Sequence, residues 1–401
     1  MSGSPAAFRW ATVALIALCC IAVTAQSQAP APRSESRTRA PKADRTPLSL
    51  FPIRTVWTLA LNSPLAMPPA YDAATAYFTL TGDRIVAYDI VPGTQKWIVS
   101  ARPQHQPIVG DDLLFIVEPD KLKALQAGDG GVAWELPFTE KLAVQPVWDN
   151  GWLVAATAAG SILAFRATDG DVVWSRDIGS PAHARPALAA DRIYVPTQDG
   201  RIVALRVDTG ATVWERRLSG APDEILAFDD RLFVGTRDNF FSSLMAKDGR
   251  VDWRWRTGGD VVGLPAADER HVFFVALDNM LRSLDRKSGG QQWMRPLPIR
   301  PMAGPARVVE VLVVAGVGPT LRAYNLSDGT NAGEVPAGAD LTAAPHVFVD
   351  PATETPLLLF LTQDIAKGAT ATLVTRSFDP TVSPIAPLPG LITMSTPPSP
   401  K

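Results

Sequence analysis

The chain has 401 residues, 38 of them Lys or Arg against 40 Asp or Glu, for a net charge of −2. That balance gives no general attraction for nucleic acid. Hydrophobic residues make up 46% and charged residues 19%, which excludes a chain too polar to bury a core.

At the N-terminus Arg9 is the only charge before an apolar run from Trp10 to Ala25. The run falls short of the ~20 residues that a spanning helix needs. Val23-Thr24-Ala25 puts small residues ahead of Gln26. Residues 1–25 therefore read as a cleaved export signal, with an uncleaved anchor as the alternative. Both cysteines, Cys19 and Cys20, lie inside it, preceded by Leu18 and Cys19 and not by a small residue. The expectation is an exported chain without a lipid anchor. After cleavage no cysteine remains, so no disulfide, thiolate metal site or Cys nucleophile is expected.

Residues 26–49 form a Pro/Ser/Arg-rich arm, with Arg33, Arg37, Arg39, Lys42 and Arg45 against Glu35 and Asp44, net +3. It has too few apolar residues to offset its ordering entropy and reads as a disordered tether. Its charge leaves open peripheral association with a membrane surface. Residues 50–401 carry −6, and the stretch 379–401 is a Pro-rich tail expected to be irregular.

Between arm and tail the chain repeats. Gly-x-x-x-Trp occurs at Gly93/Trp97, Gly130/Trp134, Gly170/Trp174, Gly210/Trp214, Gly249/Trp253 and Gly289/Trp293. A seventh copy has Gly329 followed by Gly333 in the tryptophan's place, and Trp57 lies 40 residues before Trp97. In phase with it, a proline precedes an apolar stretch at Pro69, Pro107, Pro146, Pro186, Pro265, Pro305 and Pro345, with Ile225 in the remaining slot. That makes eight units of about forty residues. Within one unit, Ala187-Leu188-Ala189, Ile193-Tyr194-Val195, Ile202 to Leu205 and Thr212-Val213-Trp214 are short apolar runs separated by Gly/Asp turns. Such runs predict an antiparallel meander.

A four-stranded meander of this length is one propeller blade, so residues 50–378 are expected to form an all-β, eight-bladed β-propeller. Trp57, Trp97, Trp134, Trp174, Trp214, Trp253 and Trp293 are assigned to blade docking, each filling a wedge between blades. The last unit offers strands around 346–349, 357–361 and 370–376 but no closing Gly-x-x-x-Trp strand. The strand around Trp57 should supply it and close the ring, which removes an aggregation-prone edge.

The phrase Ala204-Leu205-Arg206-Val207-Asp208-Thr209-Gly210-Ala211-Thr212-Val213-Trp214 resembles the pyrroloquinoline-quinone (PQQ) type propeller repeat. The similarity covers roughly residues 50 to 378. One branch with this repeat is the BamB-like group, eight-bladed periplasmic proteins of outer-membrane β-barrel assembly. The other is the quinoprotein alcohol dehydrogenases. The second resemblance would imply a longer chain with insertions, a vicinal disulfide beside the quinone and a carboxylate/amide calcium site. Here the repeats are compact and the adjacent cysteines sit in the export signal. The expectation is a non-catalytic scaffold in the periplasm or cell envelope that binds a protein or peptide. Neither PQQ nor calcium is expected, and a quinoprotein oxidoreductase is the alternative.

No catalytic motif stands against that expectation. His105, His183, His271 and His346 fall in different units without metal-ligand spacing. The Asp-Gly pairs lack a calcium loop's further acids, and Gly316-Val317-Gly318 has no following helix or P-loop lysine. The connections between units remain as the candidate partner surface, because loops on a rigid frame carry binding. They hold Arg102, His105, Lys141, His183, Arg185, Asp223, Glu224, Asp260, Arg300 and Asp340. These are expected to gather around the central channel and to be exposed.

Overall fold

The computed structural model describes residues 49–350, 352–364 and 368–377. The signal, nearly all of the arm and the Pro-rich tail lie outside them. The described chain forms eight antiparallel sheets and no helix. Blades 1 to 7 span 70–100, 108–137, 147–177, 187–217, 222–256, 266–296 and 306–336, each with four strands in sequence order. Blade 8 is assembled from both ends of the chain. His346–Val349 pairs with Pro356–Asp364, which pairs with Gly368–Arg376, and Ile53–Ala60 then adds the outer strand. The ring therefore closes through the N-terminal strand.

The second strand of each blade reads as a continuous apolar run because both of its faces are covered. In Leu113–Val117, Leu113 and Phe115 pack toward blade 3 while Leu114 and Ile116 pack toward blade 1. The core is accordingly divided into eight apolar clusters, one at each blade-to-blade joint. No blade could bury such a face alone.

Each joint uses the same device. The Trp174 indole donates to the Val207 carbonyl at 2.8 Å, and Trp214 to Ala246 at 2.9 Å. Trp97, Trp134, Trp253 and Trp293 do the same to Ala127, Ala167, Arg286 and Leu326. Trp57, on the closing strand, donates to Ile90 at 2.9 Å. In every case the ring lies against the turn glycine of the next blade. At Gly210, where φ is +66°, an added Cβ would meet the Trp174 ring at 2.5 Å. Glycine is thus needed there both for its left-handed backbone and for its missing side chain. A bulge precedes each tryptophan: Ala204 pairs with Trp214 but Leu205 with Thr212. That extra residue re-aims the indole toward the neighbouring blade.

The meander gives the ring two faces. The connections from outer to next inner strand share the connection face with the hairpins joining second and third strands. The remaining turns form the turn face. Both ends of the described chain lie on the turn face, where the Ser377 N–H donates to the Pro52 carbonyl at 2.6 Å.

Candidate functional site on the connection face

The connection face of blades 4 and 5 brings four of the expected residues together. Arg185 and Glu224 occupy the same place in adjacent units, just before Pro186 and Ile225. Their side chains approach to 3.5 Å between Arg185 Nη2 and Glu224 Oε1. One residue away, His183 Nε2 lies 3.5 Å from Asp223 Oδ1 without forming a hydrogen bond. Arg237, on the blade 5 hairpin, donates from Nε to the same Asp223 oxygen at 3.0 Å. Burial pushes the Asp223 carboxyl above its usual range, opposed by Arg237 and His183 and reinforced by the nearby charge of Asp260.

Asp223 and Glu224 are not in a connection, as the sequence suggested, but inside the inner strand Pro222–Phe228. Blade 5 lacks the proline that elsewhere interrupts pairing, so pairing extends back to Pro222 through a bulge before Ile225. Exposure was expected throughout, and here it fails. The Asp223 side chain is only 17% exposed, because Arg237 covers it from the neighbouring hairpin. Sequence reasoning missed Arg237. The signal was its place in the hairpin turn of the unit that carries the two acids.

The other expected residues are spread around the rim. Arg102 is exposed, 3.4 Å from Asp83, and its backbone N–H donates to the buried Glu118. Burial lowers the His105 imidazole below its usual range. Lys141, Arg300 and Asp340 are exposed and form no ion pair among the described residues. Of these side chains, Arg185 and Glu224 line a cavity in the central channel.

A cavity in the channel holds about 510 Å³. One arc of its lining carries Gln106, Gln145, Arg185 and Glu224, from equivalent slots of blades 2 to 5, just before the inner strand in blades 2 to 4 and inside it in blade 5. Blade 6 puts Leu264 in that slot. Beyond it the backbones touch, since a Cβ on Gly304 would fall 1.9 Å from the Leu264 carbonyl oxygen. Farther out, Leu277 and Val317 cap the hairpins of blades 6 and 7 at 42% and 69% exposure. The face thus has a charged side and an apolar side.

No group of three His, Cys, Asp or Glu among the described residues is placed to hold a metal ion. The adjacent cysteines, Cys19 and Cys20, lie outside the described residues. No helix among the described residues is long and apolar enough to cross a membrane.

A family model described as outer membrane protein assembly factor BamB matches residues 99–227 and 217–358. No curated protein matches in sequence. Among solved structures, BamB from Moraxella catarrhalis superposes with a TM-score of 0.64 at 19% identity, over 80% of this chain and 99% of that one. A europium-containing methanol dehydrogenase gives 0.64 at 11% identity, over 80% and 93% of the two chains. The quinohemoprotein alcohol dehydrogenase from Comamonas testosteroni gives 0.62 at 13%, over 80% and 76%. At these identities the structural likeness is one of fold.

Proposed function

This chain belongs to the family of outer membrane protein assembly factor BamB, and from that membership we propose that it is a non-catalytic, exported scaffold that binds a protein partner in outer-membrane protein assembly. The observation that carries this reading is the cluster of His183, Arg185, Asp223, Glu224 and Arg237 on one face of a rigid ring. The repeat does not require it, since the matching slots of other blades hold Gln145, Leu264 or Gly304. Beside it, exposed Leu277 and Val317 supply the apolar contact that a protein interface needs. The partly exposed Arg185–Glu224 pair can be re-partnered by an incoming chain at small cost, since such pairs contribute about 1 kcal/mol or less.

The second reading is a quinoprotein oxidoreductase, favoured only by fold. Supplying calcium and quinone to the purified protein separates the two: stable quinone absorbance with dye reduction by an alcohol would overturn the scaffold. The scaffold itself is tested by affinity capture from the cell envelope. Arg185→Glu with Arg300→Glu should weaken capture of the co-purifying partner while leaving the melting temperature nearly unchanged. Undiminished capture would move the binding surface off this face.

A further inference from the structure

We propose that the turn-face mouth of the central channel is a second binding site, which takes an extended basic peptide segment of a partner protein. It lies opposite the cluster on the connection face and does not depend on what that cluster binds.

The first observation is in the channel wall. Trp148, on the inner strand of blade 3, lies so flat on Gly110 of blade 2 that a Cβ there would meet the indole at 2.0 Å. Its Nε1 is buried without a hydrogen-bond partner, unlike the seven docking indoles. The Tyr71 hydroxyl, on the blade 1 inner strand, is likewise buried and unpartnered, while its ring stacks on His346 at 4.1 Å. Both residues line the channel. Buried polar groups left unpaired cost about 1–3 kcal/mol each, so a small turn of either side chain that brings its polar atom to a ligand in the channel is favoured. A peptide backbone offers both acceptors and donors.

The second observation is charge at the same mouth. Gly110 leads directly into Asp111 and Asp112, and Trp148 into Asp149. Farther round the rim stand Glu269 and Glu310. None of these five carboxylates forms an ion pair or side-chain hydrogen bond among the described residues. Asp72, Asp268 and Asp350 are different: their oxygens accept from turn N–H groups. Turn geometry explains short residues here, since Asp111 and Asp112 have φ of +51° and +59°. It does not explain the charge, because blade 3 makes the same turn with Asn150-Gly151. The carboxylates are too dispersed to hold a metal ion. They suit a chain whose cationic side chains are spaced along an extended backbone, held by the field of the mouth. Its alternate side chains would meet the apolar wall of Val109, Leu188 and Leu226.

The probe is a fluorescein-labelled peptide of alternating lysine and valine, added to the full exported chain and followed by fluorescence anisotropy. Saturable binding that weakens with added salt is expected, with none for the glutamate–valine counterpart. Asp111→Asn, Asp112→Asn and Asp149→Asn together should weaken it about tenfold, since the mouth's field is what holds the lysines. Trp148→Phe, which keeps a ring but loses the donor, should weaken it about threefold. Equal binding of both peptides or undiminished binding by the triple variant would overturn the proposal. If the variants melt early, the parent chain decides: lysine and glutamate peptides behaving alike, or no binding of the lysine peptide, overturns it.

Discussion

The ring of Phe51 lies against Gly333 so closely that a Cβ on that glycine would meet it at 2.4 Å. Gly333 stands where the repeat asks for tryptophan, and its φ is +155°. Seven joints of the propeller are filled by a tryptophan reaching forward to the next blade. The eighth is filled from the other end of the chain, by Phe51 beside the fully buried Leu50. An aromatic ring is kept at that joint although its place in the sequence has moved by nearly the whole chain.

Phe51→Ala should therefore destabilise the ring by about 2–4 kcal/mol through the cavity it leaves. Gly333→Ala should also destabilise, through its clash with Phe51 and its backbone strain. Because part of that penalty is the clash itself, the double variant should cost less than the sum of the single ones. Additive denaturation midpoints would show that the two residues do not share one joint.

The closing strand makes a second prediction. Deleting residues 50–62 removes Ile53–Ala60 and leaves Gly368–Arg376 as an unpaired edge. Such an edge templates association, so light scattering should rise on gentle heating. Deleting 26–45 removes none of the described strands and should leave the melting curve as it was. Matching curves for the two truncations would contradict closure by this strand.

The docking tryptophans should act through stability. Trp174→Ala loses the hydrogen bond to Val207 and empties the space above Gly210. A loss of about 3 kcal/mol is expected in chemical denaturation. A variant that melts normally yet loses its partner would place this ring in a binding surface instead.

His346 predicts a pH dependence. Burial lowers its imidazole from the usual 6.5 to about 4, opposed by the charge of Asp72. The folded protein thus resists a proton that the unfolded chain accepts below pH 6.5. The stability tied to neutral His346 is complete above 6.5 and is lost as pH falls toward 4. Its full size is on the order of 3 kcal/mol. His346→Phe, which keeps a ring stacked on Tyr71, should flatten this part of the stability curve. If parent and variant lose stability in parallel over that interval, the histidine is not held neutral.

The sequence by itself determined the number of blades, the order of their strands and the closing role of the strand around Trp57. A repeat can be read this way because each unit needs the same turn glycine and the same docking ring, whatever surrounds it. The family resemblance rested on those same residues. What only the tertiary structure decided is which side chains meet. Arg185 and Glu224 are 39 positions apart and become neighbours because consecutive blades stand side by side. Asp223 proved partly covered because Arg237 lies over it, although the chemical type of either residue allows exposure. Phe51 found Gly333 for the same reason, that closing a ring brings together residues from opposite ends of the chain. Periodicity records the local requirements of a blade. Contacts across the channel and the joints arise from the angle between blades, which no single repeat encodes.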